Sequence, residues 1–519
     1  MPRSAAVSLA VLLLMAGVGC QGPSAPPPTA TSQASLPPSA TPQPAQPTRT
    51  TLPPAPTATT IDDHRMAMRP GFEDDANQFA AGMHYWVTLG VTLDPVVVTG
   101  HEKLHYINHT GQTLKDAVFR LFLNGLGDKP VQSISAIAVD GQSLSMTDSG
   151  EGSVVKVTLP RDLPPDGMMD FDIDFSMSMA ANVSVAYGRV LNQDGEVTLS
   201  SFLPLIAVYG PNGWSTDTPV PQGDPAYSEV ALFDVQLTTP SDAKVATTGI
   251  VVGATPQNDG TTLRAIASGP VRDFSVAISK NFTKVSNTQD GITVNVWALP
   301  EARPDANQAA LTEAENALRI YNQDYGPYPF SELDVVDSPI SAGGIEYPGL
   351  IYIASNYWKS NYNYFEVVIA HETAHQWWYS MVGNDQINEP WLDESLADYS
   401  DEVYFRAQYG DQAGQSIRSH YQNDLDNYLA QKGNKDMPVG LPVSAYDGRQ
   451  YDIFVYEKGP LLYSKLSDQF GNDAVLKLLK TYYTQYRYKI AHTHDLEQLV
   501  AEMLGQDARK LFDQMILGQ

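Results

Sequence analysis

From about Tyr85 to Val285 apolar and polar residues alternate in short runs broken by turn residues. A period of two belongs to strands with one buried face. It predicts strands over Tyr85–Leu93, Val96–Ile107, Ala117–Leu123, Val154–Leu159, Phe171–Phe175, Val230–Leu237 and Phe274–Ile278. Asn108-His109-Thr110-Gly111 and Asn212-Gly213 predict turns. Strands this short and this closely spaced predict a β-sandwich or a large twisted sheet. Near Pro304 the period changes. Ala310, Leu311, Ala314, Ala317, Leu318 and Tyr321 fall on one side of an amphipathic helix over Asp305–Asp324. Leu333–Val336 and Leu350–Ala354 are strand-like, most of the chain beyond Phe365 is helical, and Ala474–Leu517 predicts three short helices. The chain thus divides into an all-β domain over residues 61–285 and a mixed, mainly helical domain over residues 286–519.

The first sixty residues fit neither pattern. Residues 1–19 carry one positive charge at Arg3, an apolar run over Val7–Met15 and then small residues. This predicts a secretory signal peptide, too short to span a membrane. The chain's one cysteine, Cys20, comes directly after it and looks like the lipidated cysteine of a bacterial lipoprotein. Residues 20–60 hold 12 of the 37 prolines and a single charged residue, Arg49. Such a segment has too little apolar surface to offset its ordering entropy, so it predicts an extended tether. Together these features predict an extracytoplasmic protein, lipid-anchored to a bacterial membrane or envelope through its N-terminus only. The net charge of −27 argues against nucleic acid as a partner, because phosphates demand a basic face.

Two stretches have the spacing H-E-x-x-H. In His101-Glu102-Lys103-Leu104-His105 the surrounding alternation is that of a strand, along which four residues span about 13 Å. That is too far for both histidines to hold one ion. In His371-Glu372-Thr373-Ala374-His375 the flanks are apolar and helical. Residues four apart on a helix have Cβ atoms about 6 Å apart, so both imidazoles reach one metal, with Glu372 beside them to act on a water. Eighteen residues intervene before Glu394, which lies on a helix that Pro390 can start. Glu394 completes a two-histidine, one-carboxylate set with an open position, and Asp398, one turn further on, is placed to orient a ligand histidine.

These motifs resemble the aminopeptidase N family of zinc metallopeptidases, of the gluzincin clan. Ser341-Ala342-Gly343-Gly344-Ile345-Glu346-Tyr347-Pro348-Gly349 looks like that family's exopeptidase loop, with Ile345 for the usual Met and Tyr347 for the usual Asn. Tyr325–Phe330 and Val455-Tyr456-Glu457-Lys458-Gly459 also match stretches of the family. The resemblance implies a thermolysin-like α+β catalytic domain in a short form lacking the family's C-terminal helical domain. It implies one Zn²⁺ per chain on His371, His375 and Glu394, with Glu372 as catalytic base. Tyr456 is the implied oxyanion donor, with Tyr451 and Tyr463 as the alternatives. Gly343, Gly344 and Glu346 are implied to bind peptide substrates, Glu346 taking the free α-amine, on an edge strand over Leu350–Ala354. The implied activity is release of N-terminal residues from peptides. Endopeptidase action, and a non-catalytic surface lipoprotein that binds peptides or a partner, are the competing readings.

Overall fold

The computed structural model describes residues 59–127, 131–360 and 362–519. The leader, Cys20 and the tether up to residue 58 lie outside the described residues. The described residues open with a six-residue helix, α1 (Ile61–Met66). The strand runs then assemble as their alternation requires: β1 (His84–Leu93), β2 (Val96–Ile107), β3 (Gln132–Val139), β4 (Gln142–Ser143), β5 (Met168–Met179), β6 (Leu232–Pro240), β7 (Ile250–Pro256) and β8 (Thr261–Ala267). They form one sheet in the order β7-β8-β6-β1-β2-β5-β3-β4, antiparallel except where β1 runs parallel to β6. Along β2, Val96, Val98, Leu104 and Tyr106 are buried while Thr99 and Lys103 are exposed, so one face of the sheet is core. A second, four-stranded sheet containing Leu114–Arg120 and Val154–Leu163 packs on that face, with the Phe119 and Phe171 rings edge to face at 5.3 Å.

His101 and His105 sit on the opposite face of β2, as the alternation predicts. Each turns to a different aspartate of β5, His101 Nδ1 to Asp174 at 2.9 Å and His105 Nδ1 to Asp170 at 2.6 Å.

The second architectural unit is a five-stranded sheet of β9 (Thr283–Gln289), β10 (Ile292–Ala298), β11 (Glu332–Ser338), β12 (Gly344–Tyr347) and β13 (Leu350–Ala354). Its order is β9-β10-β11-β13-β12. The division expected between residues 285 and 286 falls inside β9. The strand predicted at Leu350–Ala354 forms with those bounds, but it is not the edge: β12 pairs antiparallel along it, Tyr347 opposite Leu350. The cause is the Pro348-Gly349 turn, in which Gly349 takes φ +70°, a conformation that favours glycine. The stretch expected to be a loop is therefore the first strand of a two-residue hairpin, and it forms the edge itself.

The helices of this part include α2 (Ala306–Asp324), α3 (Tyr362–Ala374), α4 (Trp391–Tyr409) and α5 (Asp411–Gln431). α2 buries the apolar stripe read from its period. Its Tyr321 hydroxyl donates to the carbonyls of Ala370 on α3 and Ser400 on α4, both at 3.2 Å. Tyr325 and Trp378 both donate to Ser400 Oγ, at 3.0 and 3.1 Å. These buried bonds fix the spacing of α3 and α4, the two helices that carry the H-E-x-x-H motif and Glu394. Among the described residues no helix is long and apolar enough to cross a membrane.

Candidate active site

α3 ends in the motif: His371 and Glu372 lie in its last turn, and His375 continues it, its amide donating to the His371 carbonyl at 3.3 Å. The two histidines therefore share one face. Glu394 lies in the first turn of α4, which starts behind Pro390. His375 Nε2 lies 3.1 Å from His371 Nε2, and Glu394 Oε2 is 3.6 and 3.4 Å from the His371 and His375 nitrogens respectively. His371 Nδ1 donates to Asp398 at 3.0 Å, and His375 Nδ1 donates to the Trp378 carbonyl at 3.0 Å. With both outer nitrogens carrying protons, the inner nitrogens of the neutral imidazoles present lone pairs to one another. Two facing lone pairs and a carboxylate at this spacing repel unless a cation lies among them. A tetrahedral zinc with ligands at about 2.0–2.1 Å places its donors about 3.3 Å apart, which is the separation found here. Glu372 Oε2 and Asp398 Oδ2 are moreover buried without a hydrogen-bond partner among the described residues. The residues fit a zinc ion.

The electrostatics agree. Burial disfavours the charged imidazole, yet Asp398, Glu394 and Glu372 hold His371 well above its ordinary value. His375, opposed by burial but bonded to Glu394, is raised to about 10. Burial would raise Glu394 too, but the two histidines pull it well below the usual carboxylate range. The pocket thus recruits positive charge onto its two nitrogens, which is the charge a divalent metal supplies when it displaces those protons. Burial, reinforced by Glu346 and Glu394 against the two histidines, pushes Glu372 up to about 8.

β12 delivers the next residues. Residues two apart on a strand share a face, so Gly344 and Glu346 turn to the site while Ile345 and Tyr347 turn to the core. A Cβ on Gly344 would stand 2.2 Å from Glu372 Oε1, so only glycine leaves room for the base. Gly343 is under no such constraint, its nearest neighbour lying at an ordinary 3.6 Å. Tyr347 is packed away from the site, with its hydroxyl 3.1 Å from Ser201 Oγ. The Asn-to-Tyr departure therefore fills a core position and leaves the site's lining alone.

Three polar side chains that the sequence pattern does not single out hold this arrangement. Gln376 donates from Nε2 to the Tyr347 carbonyl at 3.0 Å and accepts from the Gly349 amide at 2.8 Å, fastening the hairpin turn to the end of α3. Gln386 Nε2 donates to Glu346 Oε1 at 3.0 Å and to Asp393 Oδ2 at 2.7 Å. Donor atoms of Glu346, Asp393 and His375 lie within 4.8 Å of one another. Burial, with Glu394 next to it, pushes Asp393 up to about 8. Two carboxyl groups, Glu346 and Asp393, thus stand beside the metal position.

Tyr456 lies on a wide π-helical turn, Asp452–Lys458. Its ring stacks over His371 at 6.4 Å, and burial, with Glu394 beside it, raises its hydroxyl well above the ordinary value. Of the alternatives, Tyr451 abuts Tyr456 edge to face at 5.5 Å, whereas Tyr463 packs against Tyr399 at 5.3 Å. The structure therefore brings His371, Glu372, His375, Glu394, Asp398, Gly344, Glu346 and Tyr456 into one site, and leaves Tyr463 outside it.

A β-rich N-terminal part, then a sheet and helices that pair H-E-x-x-H with a glutamate one helix later, is the architecture of a two-domain zinc-peptidase fold. Residues 309–515 match the peptidase family M1 domain. Aminopeptidase 2 of Candida albicans is 26% identical over 242 residues, 44% of this chain and 26% of its own length. Endoplasmic reticulum aminopeptidase 1 of mouse is 25% identical over 254 residues, 46% of this chain and 26% of its own. The match thus spans about a quarter of the length of these relatives. The M1 zinc metallopeptidase of Deinococcus radiodurans superposes with a TM-score of 0.65 at 21% identity, over 84% of this chain and 93% of its own. A mutant of that protein bound to the substrate Tyr-Ser-Ala superposes with a TM-score of 0.64 at 20% identity, over the same shares.

Proposed function

We propose that the protein is a zinc aminopeptidase that releases N-terminal residues from peptides. The observation that carries this reading is the Glu346–Asp393 carboxylate pair beside the His371, His375 and Glu394 tripod. Aminopeptidase relatives and a neighbour that holds a tripeptide substrate support it. Bound on the tripod, zinc supplies Lewis-acid polarisation of the scissile carbonyl and of the attacking water. The chain's own groups do the rest. Glu372 accepts the water's proton and returns it to the departing amine nitrogen. Tyr456 donates its hydroxyl hydrogen to the carbonyl oxygen as negative charge builds there. Glu346, held in place by Gln386, accepts a charge-assisted hydrogen bond from the substrate's α-ammonium. β12 is the free edge along which an extended peptide can add by backbone hydrogen bonds.

The test is a matched pair of peptides, one with a free N-terminus and its N-acetylated twin. Acetylation removes the cation that Glu346 accepts, a contact worth about 1.5–3 kcal/mol, so kcat/KM is expected to fall at least about tenfold. Glu346→Ala should abolish the difference between the twins while metal content stays as in the wild type. Equal cleavage of both by the wild type, at internal bonds, would assign endopeptidase activity instead.

The location belongs to the same proposal. The leader and Cys20 support a lipid-anchored protein outside the cytoplasm, held by the acyl chains of a modified N-terminal cysteine. Fractionation should recover the wild type with membranes and Cys20→Ser with the soluble fraction. Unlipidated wild type in the medium would leave Cys20 as part of an ordinary leader.

A further inference from the structure

Away from the catalytic centre, α1, β1 and β6 bring His64, His84 and Asp234 together, and all three are buried. Their donor atoms lie within 4.8 Å of one another. The hydrolytic mechanism uses none of them, and no sequence spacing announces them.

The hydrogen bonds fix where the protons lie. His64 Nδ1 is 2.7 Å from the Ser268 carbonyl, and a carbonyl oxygen can only accept, so Nδ1 carries the hydrogen. The other nitrogen, Nε2, then presents a lone pair, and it faces Asp234 Oδ2 at 3.3 Å. His84 Nε2 contacts that same oxygen. The second oxygen, Asp234 Oδ1, is buried without a hydrogen-bond partner among the described residues. A lone pair aimed at a carboxylate is repulsive unless a cation stands between them, either a proton on Nε2 or a metal ion. The catalytic tripod offers a ruler within the same molecule: its donors are 3.1 to 3.6 Å apart, and the His64–Asp234 separation falls inside that range. The His84 contact with Oδ2 is closer, so an ion bound here would have to open that contact, with the unpartnered Oδ1 as the other oxygen available to it. The outer nitrogen of His64 is held by a backbone carbonyl, as that of His375 is. This is how ligand histidines are commonly oriented toward a metal.

We propose that His64, His84 and Asp234 form a second metal site, distinct from the catalytic one, for a divalent transition ion with Zn²⁺ foremost. Two imidazoles among three donors select such an ion over Ca²⁺ or Mg²⁺, which take oxygen ligands. Three protein ligands leave the fourth position to water. The role is structural: the ion pins the six-residue α1, too short to be stable alone, onto the central strands β1 and β6. An ion bound by the folded state and not by the unfolded chain adds to stability by mass action.

Native mass spectrometry and elemental analysis of the wild type, grown with added zinc and passed over a weak chelator, should find two ions per chain. The double variant His371→Ala/His375→Ala, which leaves the proposed site untouched, should keep one ion, and its zinc absorption edge should report two imidazole ligands. The double variant His64→Gln/His84→Gln should lose one ion from the wild-type count and melt at a lower temperature while still cleaving peptides. One ion in the wild type and none in the catalytic-ligand variant would overturn the proposal and leave His64 and Asp234 as a proton-bridged pair. Two ions in the wild type with none in the catalytic-ligand variant would overturn it as well, since both would then belong to the active site. The aminopeptidase reading stands or falls separately, on the acetylated peptide.

Discussion

Glu372→Gln is expected to keep the metal and lose roughly 10²–10⁴-fold in kcat, the usual worth of a positioned general base. Glutamine has nearly the same shape but cannot accept a proton. The side chain is buried, and Gly344 leaves it just the space it fills, since a Cβ there would stand 2.2 Å from Oε1. The substitution therefore changes the chemistry with little change of packing. Burial raises the carboxyl, so the base form appears only as pH climbs above the ordinary carboxylate range. The wild type should accordingly show an acidic limb in kcat/KM along which activity rises with pH. The glutamine variant should lack whatever part of that limb Glu372 contributes. Elemental analysis beside steady-state kinetics is the check. Near-normal turnover with metal retained would remove Glu372 from the mechanism, whereas loss of the metal would make the activity comparison void and require Glu372→Asp in its place. Gly344→Ala should reproduce much of the defect, because the methyl group must displace the base.

How much of this was legible in the chain depends on the range of each signal. The alternation over Val96–Ile107 gave that strand its bounds and disposed of His101 and His105, because a period of two is a local property. His371, His375 and Glu394 were legible for a related reason, since helical spacing brings the first two together and Pro390 marks the start of the helix that brings the third. The hairpin at Gly344–Ala354 was misread although its signal was present. Pro348-Gly349 between two short apolar runs is a turn, and a resemblance that treats the stretch as a loop obscured it. Gln376, Gln386 and Asp393 left no trace, because buried amides and carboxylates acquire partners from tertiary contact and obey no period. His64, His84 and Asp234 lie still further out of reach. Two of them are 150 residues apart, brought together by the parallel pairing of β1 with β6.

Tyr456→Phe is expected to lower kcat by roughly 10²–10³ with little change in KM, the loss found when one oxyanion donor is removed. The split matters because a hydrogen bond that forms as charge develops on the carbonyl oxygen exists mainly in the transition state. Placement supports the role. Tyr456 sits on a π-helical turn, a form frequent at functional sites, and this turn is clamped to the helix bearing Glu394. Ser395 Oγ donates to the Val455 carbonyl at 2.6 Å, and a Cβ on Gly459 would collide with Ser395, so the two elements meet at the closest approach glycine permits. Burial, with Glu394 and Tyr451 close by, holds the Tyr456 hydroxyl well above its ordinary value. It therefore keeps its proton wherever the fold survives, as a donor must. Its removal should scale the rate at every pH and shift neither limb of the profile. Tyr463→Phe is the control, since that hydroxyl lies outside the site and activity should be unchanged. A loss carried by KM alone would make Tyr456 a ground-state contact. A larger kcat loss in Tyr451→Phe than in Tyr456→Phe would move the donor role one turn back along the chain.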